Sequence, residues 1–118
     1  MRVLVVDDEH LITDTICAIL NANGYSAAGA YSGDEALRAI AESRPEIVLS
    51  DVLMPRMSGV DLAIKLHDQF PDMKIILLSG QASTSAIIQR AEADGYYFTL
   101  FPKPIHPDDL IARLKKLA

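Results

Sequence analysis

Three short runs in this chain are apolar at every position: Val3-Leu4-Val5-Val6, Ile47-Val48-Leu49 and Ile75-Ile76-Leu77-Leu78. A strand with one solvated face alternates apolar and polar residues, whereas an unbroken apolar strand is buried on both faces. Such strands require helices above and below their sheet, and the chain supplies them between the runs. Apolar residues recur at helical spacing at Ile12, Ile16, Ile19 and Leu20, at Ala36, Leu37, Ile40 and Ala41, and at Leu110, Ile111, Leu114 and Leu117. The full set of strand candidates is residues 2–7, 26–31, 47–51, 74–79 and 98–101. The small Ala27-Ala28-Gly29-Ala30 run and the mixed Tyr96-Tyr97-Phe98-Thr99 stretch suit the two edges. Ser32 with Glu35, and Ser58 with Asp61, have the spacing of reciprocal helix-start caps, and Pro107 fits a first helical turn. The expectation is an α/β fold, a doubly wound parallel sheet of five strands with five helices, as one domain over residues 1–118.

At 118 residues the chain can bury a core without disulfides or a structural metal. The single cysteine, Cys17, cannot make a disulfide framework and reads as a small core filler, which agrees with a reducing compartment. No apolar run approaches the roughly 20 residues that cross a bilayer, so the expected location is the cytoplasm, without membrane attachment. A net charge of −5 argues against direct nucleic-acid binding, which draws its affinity from basic side chains on phosphates.

Ligands of doubly wound sheets bind outside the carboxyl ends of the strands. Asp7, Asp8 and Asp51 stand at two such ends, those of the first and third strands. Three carboxylates on one rim repel unless a cation lies among them, and hard oxygen donors at a wet site suit Mg²⁺. The plainer reading makes Asp7 and Asp8 helix caps and Asp51 a turn residue. Ser79 ends the fourth strand, with Gly80 directly after it, and Lys103 follows the fifth and precedes Pro104. Taken singly, Ser79 reads as a local cap and Lys103 as a solvated charge; their shared position at strand ends favours a site.

These residues resemble the receiver domain of two-component response regulators. The matching pieces are Val5-Val6-Asp7-Asp8-Glu9, Asp51-Val52-Leu53-Met54-Pro55-Arg56-Met57-Ser58-Gly59, Leu78-Ser79-Gly80 and Lys103-Pro104, in order along the whole chain. The resemblance implies a flavodoxin-like strand order of 2-1-3-4-5. It also implies that Asp51 is the phosphoacceptor, taking a phosphoryl group from a sensor histidine kinase or a histidine phosphotransfer protein. Asp8, Asp51 and the Leu53 carbonyl would bind Mg²⁺, with Asp7 acting through a coordinated water. Ser79 and Lys103 would hold phosphoryl oxygens, Gly80 would leave room for the group, and the peptide before Pro104 would be cis. Leu53 and Gln81 stand where the lifetime of the phosphorylated state is controlled. The output face would be the fourth helix, fifth strand and fifth helix, which is also the candidate homodimer face.

Leu100 departs from the family pattern, which places an aromatic switch three residues before the lysine; Phe98 and Phe101 are the nearby candidates, with strand alternation turning Phe101 to the other face. His10, His67 and His106 have no metal-ligand spacing and read as solvated, and Lys115-Lys116 suits a helix C-terminus. Met54 and Met57 flank the acidic site as packing or partner-contact residues. Three functions compete: a phosphorylation-controlled signalling module, a receiver-like adaptor independent of phosphate, and a flavin binder or phosphatase. The adaptor would usually lack an acid or the lysine, and all are present. Asp-Asp-Glu-His after the first strand would repel a flavin phosphate, and adjacent Asp7 and Asp8 do not fit a phosphatase nucleophile and acid set two residues apart. A turnover enzyme is therefore not expected.

Overall fold

The computed structural model describes residues 1–80 and 85–117. In chain order it consists of β1 (Arg2–Val6), α1 (His10–Ala22), β2 (Ser26–Ala30), α2 (Gly33–Glu42), β3 (Ile47–Asp51), α3 (Gly59–Gln69), β4 (Lys74–Ser79), α4 (Ser85–Ala93), β5 (Thr99–Pro102) and α5 (Pro107–Leu117). The strands form one parallel sheet ordered β2-β1-β3-β4-β5, so the three unbroken apolar runs take its three interior places.

Strand alternation sorts that apolar surface into two layers. Leu4, Val6, Val48 and Leu77 face α2, α3 and α4, where Ile40, Leu62 and Leu66 are buried. Val3, Val5, Ile47, Leu49 and Ile76 face α1 and α5, against Leu20, Leu110 and Leu114. Each fully buried side chain of this kind is worth about 1.5–3 kcal/mol of transfer free energy, which makes the two layers the main source of stability.

Local signals place the helices. At α3 the capping box is complete: Ser58 Oγ accepts from Asp61 N, and the Asp61 carboxylate accepts from Ser58 N. At α2 only half of it forms. Ser32 Oγ accepts from Glu35 N at 3.1 Å, but the Glu35 carboxylate takes the Tyr31 N–H at 3.4 Å. Ala41 is exposed instead of sharing the α2 core face, and β5 begins one residue later than expected, because Phe98 turns under the α3–α4 layer before the strand starts. The first two strands end one residue early, at Val6 and Ala30. The histidines are exposed as expected, yet each has a contact. His10 stacks on Tyr31 with centroids 3.7 Å apart, His67 lies edge-on to Tyr96 and Phe98, and His106 Nδ1 accepts from Asp108 N at the start of α5. Cys17 packs, partly buried, against the α1–α5 layer.

The β2 edge is closed by a side chain. Ser26 N donates to Met1 O and Asp7 N to Ala30 O, so the even-numbered residues of β2 pair with β1 and Ala27 and Gly29 turn outward. Asn21 of α1 takes both outward groups of Ala27: its Oδ1 accepts from Ala27 N at 2.8 Å and its Nδ2 donates to Ala27 O at 3.2 Å.

Candidate functional site

β1 and β3 are neighbours in the sheet, so the residues at their carboxyl ends arrive together. Asp7, Asp8 and Asp51 each bring a carboxylate oxygen within 4.8 Å of the others. Asp7 is buried, at 1% exposure. Its N–H donates to Ala30 O at 3.2 Å, its main-chain oxygen accepts from Thr13 Oγ1 at 2.8 Å, and its Oδ1 accepts from Glu9 N at 3.0 Å. That last bond is a local turn onto Glu9, the N-cap residue of α1, which has no side-chain cap, so Asp7 does not cap a first-turn amide of the helix as the plainer reading expected. The other carboxylate oxygen, Oδ2, is buried with no hydrogen-bond partner and stands 3.7 Å from Lys103 Nζ. Burial pushes the Asp7 carboxyl above the usual carboxylate range, against the bond from Glu9 N, with the charge of Asp51 adding to the rise.

Asp51 ends β3, and its backbone is tightly enclosed. Ser50 Oγ donates to Asp51 O at 3.0 Å, and Gly59 N, at the start of α3, donates to Val52 O at 2.8 Å. A Cβ at Gly59 would collide with the Asp51 carbonyl oxygen, so only glycine lets α3 begin this close to β3. Between them the chain turns at Arg56, which adopts φ 68°, and Met57 N donates to Pro55 O at 2.8 Å. Met57 lies against the bare Cα of Gly33, and both Met54 and Met57 pack on the α2–α4 layer, which supports their packing role.

Lys103 enters from the far side. Its N–H donates to Ser79 O at 3.2 Å, the Lys103–Pro104 peptide is cis as expected, and Nζ donates to Asp51 Oδ1 at 3.0 Å. Burial lowers the proton affinity of the ammonium, but the bond to Asp51 and the charges of Asp51, Asp7 and Glu9 outweigh it and raise the pKa above 10.5. Gly80 lines the cleft and is also tightly approached from behind. A Cβ there would stand 2.5 Å from Lys103 O and 2.7 Å from Lys103 Cβ, so the missing side chain makes room for the Lys103 backbone.

Asp8, Glu9, Asp51, Leu53, Gly80, Lys103 and Pro104 line one open cleft, with Leu53 43% exposed at its rim. Ser79 closes β4 beside it, and Gln81 lies outside the described residues. Leu100 is 41% exposed and pairs with Leu77 on the α4 side of the sheet, which Phe98 also faces. Phe101 is 3% exposed in the opposite layer under Arg113, which removes it as a substitute for an aromatic on the Leu100 side. Thr13, Gly59 and the left-handed Arg56 are site-forming residues whose roles the sequence did not disclose. A hydroxyl within the apolar stripe of α1 and a glycine directly after a capping serine were the available signals.

The donor set fits a hard divalent cation. It is all oxygen, one buried oxygen lacks a hydrogen-bond partner, and the carboxylates outnumber the one ammonium among them. Among the described residues no helix is long and apolar enough to cross a membrane.

Comparison with known proteins agrees with this geometry. The family model described as response regulator receiver domain matches residues 3–115. The chain is 37% identical over 119 aligned residues to the response regulator MprA of Mycobacterium avium, covering 99% of this chain and 50% of that protein. It thus spans about half the length of the curated relatives it matches. Among solved structures, the chemotaxis protein CheY4 of Vibrio cholerae superposes with a TM-score of 0.84 at 29% identity, covering 99% of this chain and 98% of that one. The receiver domain of NtrX from Brucella abortus gives 0.83 at 30% identity, covering 97% and 95%.

Proposed function

This chain belongs to the response regulator receiver domains, and from that premise we propose that residues 1–118 form one receiver domain that accepts a phosphoryl group on Asp51. The observation that carries the reading is the placement of Asp51, hydrogen-bonded to Lys103 Nζ at 3.0 Å and enclosed by two further aspartates. In the transfer, an Asp51 carboxylate oxygen bonds to phosphorus as the bond from phosphorus to a donor histidine nitrogen breaks. The donor is a sensor histidine kinase or a histidine phosphotransfer protein in the cytoplasm. Asp8, Asp51 and the Leu53 carbonyl would hold Mg²⁺, with Asp7 acting through a coordinated water, and the ion would supply positive charge to the phosphoryl oxygens. The Lys103 ammonium neutralises the oxygens on the other side, and Ser79 receives the group at the end of β4. The chain performs its own transfer and release without turning over a separate substrate, and Leu53 and Gln81 bear on how long the acyl phosphate lasts. The face of α4, β5 and α5 carries the output and is the candidate homodimer surface. Nucleic-acid contacts are left to other segments or partners, because the net charge is −5.

The test is incubation with a small phosphodonor and Mg²⁺ followed by intact mass measurement. The expected product carries one phosphoryl group, requires Mg²⁺, is removed by hydroxylamine and is absent from Asp51→Asn. If no adduct forms under donor excess, the chain is a phosphorylation-independent adaptor and the reading fails.

A further inference from the structure

A threonine in the first turns of a helix ordinarily turns its hydroxyl back onto a carbonyl three or four residues earlier. Thr13 bonds outside its helix: Oγ1 donates to the main-chain oxygen of Asp7, beyond the end of β1, at 2.8 Å. The residue is fully buried, at 0% exposure. Gly29 of β2 makes the approach feasible, since a Cβ there would stand 2.6 Å from Thr13 Cγ2. The bare edge strand therefore admits the threonine methyl and lets α1 close on the end of β1.

The oxygen that Thr13 holds belongs to the peptide joining Asp7 to Asp8. Fixing that peptide plane fixes both the backbone of Asp7 and the direction in which Asp8 leaves the strand. The remaining polar groups of Asp7 are held as well, its N–H by Ala30 O and its Oδ1 by Glu9 N. Only Oδ2 has no hydrogen-bond partner, and it faces Lys103 Nζ at 3.7 Å.

We propose that Thr13 is a positioning residue: its hydroxyl, admitted by Gly29, locks the Asp7–Asp8 peptide so that both carboxylates converge with Asp51 on one divalent cation. The inference rests on the Mg²⁺ reading of this cleft. Thr13 itself touches neither the cation nor the phosphoryl group.

Mg²⁺ titration by calorimetry tests it on the wild-type chain, Thr13→Val and Thr13→Ser. Valine keeps the volume and lacks the donor, while serine keeps the donor and lacks the methyl. Partners of metal ligands are worth 10–100-fold in affinity, so Thr13→Val is expected to bind Mg²⁺ about tenfold more weakly, with Thr13→Ser within about twofold of wild type. Serine leaves a gap against Gly29 and lowers the melting temperature without following the Mg²⁺ result, which separates positioning from general packing. Equal affinity in Thr13→Val and wild type, or equal weakening in both variants, overturns the proposal. Should the valine variant fail to fold, Thr13→Ala against Thr13→Ser makes the same comparison without the methyl in either. A wild-type chain that binds no Mg²⁺ overturns the reading of the cleft itself, a distinguishable result.

Discussion

Lys103 Nζ hydrogen-bonds Asp51 Oδ1 at 3.0 Å while standing 3.7 Å from Asp7 Oδ2, so one ammonium serves two carboxylates at the carboxyl ends of different strands. Lys103 is 28% exposed and Asp51 13%, enough burial for the pair to escape full screening by water. Under the proposed function Lys103 would have two opposed effects: it would compete with a bound cation for the same oxygens, and it would stabilise charge that arrives with a phosphoryl group.

Lys103→Ala separates those effects. Losing a competing unit charge strengthens Mg²⁺ binding by about tenfold, a fraction of the ~4 kcal/mol that two charges exchange at 4 Å near a protein surface. Phosphoryl acceptance at Asp51 falls by about 10²-fold, as when one preorganised electrostatic partner is removed. Calorimetry and the mass assay read the two numbers on the same variant. A parallel fall in both would show Lys103 to be a scaffold for the cleft.

Gly59→Ala places a methyl group on the Asp51 carbonyl. The collision is with main chain, which cannot rotate away, so either α3 or the end of β3 must shift. Overpacking of this kind costs about 1–3 kcal/mol, and the displaced backbone is that of Asp51, the proposed acceptor. Urea unfolding should show a lower midpoint, and the phosphorylation rate should drop more than the folded fraction does. Unchanged stability would mean that α3 starts with more slack than its contacts suggest.

The parts of this molecule that were legible in the sequence are those whose physics is local. Val3-Leu4-Val5-Val6 has no alternation because both faces are covered, and the pattern says so without reference to any other segment. Asp7, Asp8, Asp51 and Lys103 stood out because ionic groups at the ends of apolar runs need a reason. Periodicity alone does not order the strands, since pairing is settled by contacts across the fold; that order came from the family motifs. The same holds for Gly80, whose missing side chain answers to Lys103, 23 residues later. Phe98 misled at β5 because an aromatic suits a strand and a helix–sheet seam equally. Thr13 is not legible in the sequence, because the role of a hydroxyl in an apolar stripe depends on an acceptor that lies outside the helix.

Asn21→Ala uncovers the outward N–H and C=O of Ala27 at the β2 edge. Both hydrogen bonds are solvent-exposed, so the loss of stability is about 1 kcal/mol or less. The larger effect is on association. β2 reads Ser-Ala-Ala-Gly-Ala, with no lysine, proline or bulge to block another strand, and an unguarded edge of that kind pairs with a second chain. Light scattering behind size exclusion should show concentration-dependent oligomers that wild type lacks under the same conditions. Identical elution profiles would mean that the small residues of β2 are sufficient protection.

Asp7→Asn should make the protein more stable and less able to hold Mg²⁺. Burial raises the Asp7 carboxyl above its ordinary value of 3.8, with Asp51 and Asp8 adding to the rise. The folded chain therefore binds this proton more tightly than the unfolded chain does. The associated stability is complete below 3.8 and is lost as pH climbs through the raised folded value, so at neutral pH the ionised carboxylate weighs against the fold. An amide keeps an oxygen for Glu9 N and removes the charge. Removing the buried charge, while the amide NH₂ in place of Oδ2 stays without an acceptor, gives a gain of about 1 kcal/mol, or about 4 °C in melting temperature for a domain near this size. Mg²⁺ should narrow the difference, because the cation stabilises the wild-type cluster and has less to bind in the variant. Melting curves of both proteins at pH 4 and pH 7.5, with and without Mg²⁺, give the four comparisons. The Asn variant should gain most at pH 7.5 without the ion, and a gain that is the same at both pH values would place its origin outside the ionisation of Asp7.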